Sequence, residues 1–126
     1  MLKKTTLALS LTLSCLSGLA MAATPATVAD TALGKVLVDS KGMTLYTFAK
    51  DSAGKSACNG PCAQNWPPLA AGAYAKDGDG YSVITRDDGS KQWAYKDLPL
   101  YGWVKDSKPG DTTGEGVGQA WHVAKP

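Results

Sequence analysis

The chain has 126 residues, with thirteen basic side chains, eleven acidic side chains and one histidine. Two of the basic residues, Lys3 and Lys4, lie in a segment that we expect to be removed, so the mature chain carries equal numbers of basic and acidic groups. This balance excludes the strongly basic surface that nucleic-acid binding requires, and about a hundred residues suffice for one domain with one core.

Residues 1–22 have the form of an export signal. Two lysines precede an apolar run over residues 6–20 that is too short to cross a bilayer, and Ala20-Met21-Ala22 has the small-x-small pattern of a cleavage site. We expect cleavage after Ala22 or Ala23, which places the protein in the periplasm or outside the cell. The mature chain contains no second apolar run long enough to span a membrane.

Cys15 offers an alternative, because a bacterial lipoprotein is cut at a cysteine that carries the lipid. The preceding residues Thr12-Leu13-Ser14 have threonine where leucine is expected, and the apolar run continues beyond the cysteine. These two departures favour ordinary cleavage over lipid anchoring at Cys15.

The mature chain is predicted to fold as a single β domain over residues 33–126. Residues 23–32 are small and polar, and we expect them to form a flexible lead-in. The next segment, KVLVDSKGMTLYTF, predicts a hairpin around a turn at residues 39–42. The segment YSVITRDDGSKQWAYK predicts a second hairpin around Asp87-Asp88-Gly89, and PLYGWV and AWHVA are further candidate strands.

A short helical turn is predicted near Cys62, between the two hairpins. Gly60-Pro61 is typical of a turn that enters a helix with proline in its first position, and Trp66-Pro67 ends it. Cys58 and Cys62 flank its start and form an even pair in an oxidising compartment, which favours a disulfide.

One motif is written twice, 55 positions apart. The stretch KGMTLYTFAKDS at residues 41–52 recurs as KDLPLYGWVKDS at residues 96–107, with six identical residues. Both copies contain Y-x-(F/W)-x-x-D, and the duplication covers about residues 34–52 and 89–107. We therefore predict a mainly β fold in which two related hairpin-based units pack into one small domain, because a lone hairpin is marginal in water.

Strand alternation assigns the motif residues to faces. Tyr46 and Phe48 point to one side of their strand, as do Tyr101 and Trp103 in the second copy, so each copy places two rings together. The aspartates that complete the motif, Asp51 and Asp106, follow in turns where they can accept hydrogen bonds from backbone N–H groups.

The chain resembles a known family at these residues: bacterial predicted lipoproteins with the Y-x-(F/W/Y)-x-x-D motif, also described as secreted repeats of unknown function. The blocks that carry the resemblance follow in order along the mature chain and are LYTFAKDSAGKSACNGPCAQNWPPL, ITRDDGSKQWAYKDLPLYGWVKD and GDTTGEGVGQAWHVAKP. The resemblance implies an exported, envelope-associated domain and supplies no catalytic residues.

The cysteine pair also permits a redox or metal site. Two thiolates at Cys58 and Cys62 with the imidazole of His122 match the soft donor set of Cu(I). We therefore expect no cofactor, with copper as the alternative. The pair lacks the C-x-x-C spacing of thioredoxin-like proteins, and alternation around Trp121-His122-Val123 directs the histidine away from its buried neighbours. The sequence therefore favours a structural disulfide.

Two other hypotheses use the duplicated residues. Asp51 and Asp106 could serve as a carboxylate pair in acid–base catalysis, although their matched positions favour duplicated turns. The four tryptophans could form a stacking surface for a ligand, although a domain with one phenylalanine needs them first in its core.

We therefore expect an exported module of the cell envelope that is not an enzyme and that binds an unidentified envelope partner or ligand or has a structural role. The alternative is a periplasmic redox or copper-handling protein that uses Cys58 and Cys62.

Overall fold

A computed structural model describes residues 24–126, so the predicted export signal and Cys15 lie outside the described residues. In the described part the chain is mainly β, with seven strands and one short α-helix. The elements are β1 (Thr27–Thr31), β2 (Gly34–Val38), β3 (Tyr46–Phe48), α1 (Pro61–Asn65), β4 (Tyr81–Thr85), β5 (Lys91–Tyr95), β6 (Leu98–Pro99) and β7 (Trp121–Val123). A 3-10 turn at Val117–Gln119 precedes β7.

The first hairpin begins earlier in the chain than the sequence predicts. β1 pairs antiparallel with β2, from Thr27 opposite Val38 to Thr31 opposite Gly34. The expectation of a flexible lead-in over residues 23–32 is therefore wrong for residues 27–31. This segment has little apolar surface of its own, and it is ordered because its backbone groups pair with those of β2.

The second hairpin forms where the sequence predicts it. β4 pairs antiparallel with β5 over all five residues, and the turn is closed by a hydrogen bond from Arg86 N–H to the Ser90 carbonyl at 2.8 Å. Gly89 takes a φ of 89° in this turn, which glycine adopts without steric cost. β6 adds a third strand that pairs with the end of β5.

The partner of β3 differs from the sequence prediction. The turn after β2 exists, because Asp39 N–H donates to the Met43 carbonyl at 2.9 Å, but only a single bridge joins Val38 and Thr44. β3 pairs instead with β7 at the other end of the chain, with Tyr46 opposite Val123. The candidate strand in PLYGWV is likewise limited to the end of β6 and two isolated bridges of Tyr101, with Tyr46 and with Pro68.

The short helix follows the prediction closely. Pro61 occupies the first turn of α1, and Trp66 follows its last residue and donates its N–H to the Cys62 carbonyl at 2.8 Å. No side chain caps the start of α1. The helix therefore acts as a compact turn that places Trp66 against the core.

The two faces of the motif strands enter two buried clusters within residues 24–126. Tyr46 and Tyr101 lie in an aromatic cluster with Trp66 and Trp121, and Phe48 and Trp103 pack against it. Leu45 and Leu100, one position before each tyrosine, lie in the other cluster. The alternation of the strands thus separates the rings from the leucines, as the sequence predicts.

Candidate functional site

The centre of the domain is a reciprocal pair of backbone hydrogen bonds between the two motif tyrosines. Tyr46 N–H donates to the Tyr101 carbonyl at 2.8 Å, and Tyr101 N–H donates to the Tyr46 carbonyl at 3.0 Å. Both side chains are fully buried. The two repeats therefore face each other across an approximate two-fold axis that passes between these residues.

The side chains of the motif exchange partners between repeats. The Tyr46 hydroxyl donates to Asp106 Oδ2 at 2.6 Å, and the Tyr101 hydroxyl donates to Asp51 Oδ2 at 2.7 Å. Each tyrosine thus binds the aspartate of the other copy and not the one that follows it in sequence. We call these two contacts the crosswise pairs.

The second oxygen of each motif aspartate holds a following loop. Ala57 N–H donates to Asp51 Oδ1 at 2.7 Å, and Thr113 N–H donates to Asp106 Oδ1 at 2.9 Å. The Thr113 hydroxyl adds a further bond to Asp106 Oδ1 at 2.6 Å. Each aspartate therefore joins its own loop to the tyrosine of the other repeat.

Burial keeps the two motif tyrosines protonated. Desolvation, followed by the hydrogen bond to Asp106, raises the pKa of Tyr46 far above its ordinary value of 10.0. Desolvation also raises the pKa of Tyr101, where the bond from Ser56 opposes the effect and Asp51 adds to it. In each of the two hydrogen bonds the proton therefore stays on the tyrosine, so the phenol donates and the aspartate oxygen accepts.

A glycine makes room for one of the crosswise pairs. Gly114 N–H donates to the Tyr46 hydroxyl at 3.1 Å. A Cβ atom at this position would lie 2.8 Å from ring atoms of both Tyr46 and Trp66. Only a residue without a side chain allows the backbone to approach the two rings this closely.

Four aromatic rings stack in a column across the two-fold axis. Trp66 and Trp121 lie at its centre with ring centroids 3.8 Å apart and an interplanar angle of 1°. Trp103 stacks on the outer face of Trp66 at 3.9 Å, and Phe48 stacks on Trp121 at 4.2 Å. We call Phe48, Trp121, Trp66 and Trp103 the aromatic column.

The column obeys the same internal symmetry as the motif. Trp66 and Trp121 lie 55 positions apart, as do Phe48 and Trp103. Each central tryptophan also meets the tyrosine of its own repeat edge-on, Tyr46 at 5.4 Å and Tyr101 at 5.1 Å. The 55-residue offset between the motif copies also relates Trp66 to Trp121, so the sequence contains a signal that identifies these two tryptophans as equivalent.

A buried polar network departs from this symmetry. Arg86 is only 5 % exposed and donates to Ser56 Oγ at 3.0 Å, to Gln92 Oε1 at 2.8 Å and to the Cys58 carbonyl. Ser56 Oγ in turn contacts the Tyr101 hydroxyl at 2.6 Å. A buried guanidinium requires such acceptors, and here they tie the loop at Cys58 to the second hairpin.

Sequence analysis missed this network, although alternation could have found part of it. Ile84 is buried on β4, and continued alternation would place Arg86, just past the end of the strand, on the same side, where it is also buried. Ser56 and Gln92 carry no comparable signal, because their contacts join segments far apart in the chain.

Cys58 and Cys62 form a disulfide, as predicted, with Cα atoms 5.2 Å apart. Cys58 is fully buried and belongs to the aromatic cluster, and Cys62 packs against it. In the disulfide the sulfur atoms present no thiolates, which are the donors that Cu(I) prefers.

His122 lies on β7 between buried Trp121 and Val123, and its own side chain is 53 % exposed. Its Nδ1 atom is 2.8 Å from Glu115 Oε2. Within residues 24–126, no group of three or more His, Cys, Asp or Glu side chains is arranged to hold a metal ion.

A shallow apolar groove of about 220 Å³ opens at one end of the aromatic column. Leu45 forms its buried floor, and Trp103 contributes to its wall. Asp39 is the one charged residue among those that line it in the described structure. The lining residues are Asp39, Met43, Leu45, Pro67, Pro68, Leu69, Gly102, Trp103 and Val104.

The fold and this arrangement of residues define a small β domain built from two pseudo-symmetric repeats that complete each other's polar contacts. Residues 27–70 and residues 82–125 each match the family model described as a secreted repeat of unknown function. The two matched ranges begin 55 positions apart, which is the offset between the two motif copies.

The chain therefore belongs to this family of secreted repeats, and the resemblance inferred from the motif is confirmed. Membership of a secreted family implies an exported protein. No curated protein and no solved structure matches the chain. Within residues 24–126, no helix has the length and apolar character needed to cross a membrane.

Proposed function

We propose that the protein is a non-enzymatic binding module of the cell envelope, in which the crosswise pairs and the aromatic column form a rigid frame and the apolar groove forms the binding face. The observation that carries this proposal is the exchange of partners between the two motif copies. Tyr46 and Asp106, like Tyr101 and Asp51, already satisfy each other's hydrogen-bonding groups in the core.

The state of these groups argues for a structural role and against acid–base chemistry. A general acid or base needs access to a substrate and a pKa near the working pH. Tyr46 and Tyr101 are fully buried, and burial moves the pKa of both phenols away from neutrality. The motif therefore supports the fold, and a ligand must bind elsewhere.

The backbone contacts and the lining of the groove support its role as the binding face. Gly102 N–H donates to the Pro67 carbonyl at 2.8 Å and Val104 N–H donates to the Asn65 carbonyl at 3.1 Å, so backbone bonds hold two of its walls together. Its lining is mostly apolar with one carboxylate, a composition typical of small-molecule sites.

A test of the binding role is a screen of the ¹⁵N-labelled mature protein with small organic amines, acids, alcohols and sugars. We expect the backbone amide shifts to change at Met43, Gly102 and Val104 and to stay constant at Ala57 and Thr113, which bind the motif aspartates. The proposal fails if no compound perturbs the groove, or if a compound binds at the motif aspartates and is chemically converted.

We further propose that the mature chain begins after Ala22 or Ala23 and carries no lipid at Cys15. The intact mass of the protein isolated from its native envelope tests this directly. A mass that matches a chain beginning at Ala23 or Thr24 supports the proposal, and a diacylglyceryl adduct beginning at Cys15 contradicts it.

A further inference from the structure

We propose that the groove binds a small organic cation, an ammonium or guanidinium group attached to one apolar body about the size of an aromatic ring. This inference rests on the proposed binding role of the groove and specifies its ligand. It follows from the position of Asp39, from the shape of the groove at Gly102 and from the exposed edge of the aromatic column.

Asp39 supplies a negative charge that is held in place and available. Its Oδ1 atom accepts hydrogen bonds from Lys41 N–H at 2.8 Å and Met43 N–H at 3.0 Å, which fixes the orientation of the carboxylate in its turn. Among residues 24–126, its Oδ2 atom has no hydrogen-bond partner and no ion pair is formed with Asp39. A cation in the groove would lie near this carboxylate and beside an apolar wall, where a charge pair is stronger than in open water.

The apolar part of the groove explains why the ligand needs a hydrophobic body. Met43, Pro67 and Leu69 line the groove together with the half-buried ring of Trp103. Since Trp66 stacks on one face of Trp103 at 3.9 Å, the indole is fixed in position before any ligand arrives. A rigid aromatic wall favours a flat or aliphatic body and also attracts cations through its π face.

Gly102 opens the groove, and its position differs between the two repeats. A Cβ atom added at Gly102 would lie 4.0 Å from the Pro67 carbonyl oxygen, its nearest neighbour outside the adjoining residues, so the space beside it is open. The residue 55 positions earlier is Thr47. A Gly102→Thr substitution therefore copies the other repeat, needs no left-handed backbone conformation and adds a side chain to a residue that lines the groove.

One competing cation lies nearby. The Lys105 ammonium lies over the Trp103 ring, 5.8 Å from its centre. Because Trp66 stacks on the other face of this ring, Lys105 is on the face that a ligand cation would approach. A ligand cation would be repelled by this charge and attracted by Asp39. Removal of the Asp39 charge should therefore weaken the binding of a cation, and removal of the Lys105 charge should strengthen it.

The experiment compares the binding of 2-phenylethylamine, 2-phenylethanol and 3-phenylpropionate to the mature protein, measured by ¹⁵N shifts and calorimetry. We expect the amine to bind more tightly than the alcohol and the carboxylate to bind weakest. Asp39→Asn should weaken binding of the amine by about tenfold, because the amide oxygen can still accept the bonds from residues 41 and 43 while the charge is lost. Lys105→Gln should tighten it severalfold.

Controls separate this inference from the proposed function. Asp30→Asn removes the same charge from an exposed ion pair on β1 and should leave the affinity unchanged. Gly102→Thr should abolish the binding of every probe. If the alcohol binds as tightly as the amine and Asp39→Asn has no effect while Gly102→Thr still abolishes binding, the cation inference is overturned and the groove remains a binding site. If none of the three probes perturbs the groove, the cation inference is overturned, and the binding role is overturned as well only if the wider screen also finds no compound.

Discussion

Trp66 and Trp121 stack face to face with ring centroids 3.8 Å apart, and they occupy equivalent positions in the two repeats. Their contact lies on the approximate two-fold axis, so each repeat supplies half of the central ring pair. Neither repeat can bury its tryptophan in this way without the other, which explains why the two copies form one domain.

This stack predicts a large loss of stability when one of its rings is removed. Trp121→Ala should lower the free energy of unfolding by about 3–5 kcal/mol, because it deletes contacts on both faces of the ring and leaves a cavity. It should also change the exciton signal of the stacked indoles in circular dichroism, leaving only the contribution of Trp66 on Trp103.

Trp93 provides the matched control for this prediction. It is half-buried, lies outside the column and meets Tyr81 edge-on at 6.4 Å. Trp93→Ala should cost less stability and keep the exciton signal. An unchanged signal in Trp121→Ala would show that Trp121 does not stack on Trp66 in solution.

The buried tyrosines predict a loss of stability at high pH. The pKa values of Tyr46 and Tyr101 are raised in the folded protein, chiefly by desolvation, so the unfolded chain releases protons first as the pH rises. Their contribution to stability is complete below the ordinary tyrosine pKa of 10.0 and is lost progressively above it.

Denaturant unfolding between pH 8 and about pH 11.5 measures this effect. Tyr46→Phe and Tyr101→Phe should each make the decline above pH 10 less steep, because one fewer group ionises only on unfolding. A decline of the same slope in both variants would mean that other groups control the alkaline transition.

The disulfide predicts a modest and local contribution. Replacing both Cys58 and Cys62 by alanine should lower the free energy of unfolding by about 2 kcal/mol, since the closed loop is short. The oxidised mature protein should contain no free thiol. If the double alanine variant does not fold, the disulfide stabilises far more of the domain than the loop that it closes.

The copper alternative stays a prediction with its own measurement. If the protein handles Cu(I), the reduced form should take up one copper ion per chain in a competition assay with a Cu(I) chelator, and His122→Ala should weaken that uptake. Reduced protein that takes up no copper would rule out this alternative.

Local features of the fold could be predicted from the sequence because their causes are local. The β4–β5 hairpin is specified by Asp87-Asp88-Gly89, and α1 is specified by Pro61 at its start. Tyr46 and Leu45 lie in different clusters because neighbouring side chains point to opposite faces of a strand, whichever strand is its partner.

Pairing between distant segments could not be predicted in this way. Alternation indicates which face of a strand a side chain occupies but does not identify the partner strand. The sequence therefore predicts β2 as the partner of β3, whereas β3 pairs with β7. The sequence also does not reveal that Asp51 and Asp106 bind the tyrosine of the other repeat, because each aspartate follows the tyrosine of its own copy in the chain. The groove depends on three separate segments and on a missing side chain at Gly102, which is visible only in the folded chain.

The central claim is that the motif acts across the repeats, and a set of double-mutant cycles tests it most directly. Tyr46→Phe combined with Asp106→Ala, and Tyr101→Phe combined with Asp51→Ala, should each give a coupling energy of about 1–3 kcal/mol in denaturant unfolding, because each pair shares a hydrogen bond from a buried phenol to a carboxylate. The pairs within one copy, Tyr46 with Asp51 and Tyr101 with Asp106, should couple by less than about 0.5 kcal/mol. Strong coupling within each copy and none between the copies would contradict the account.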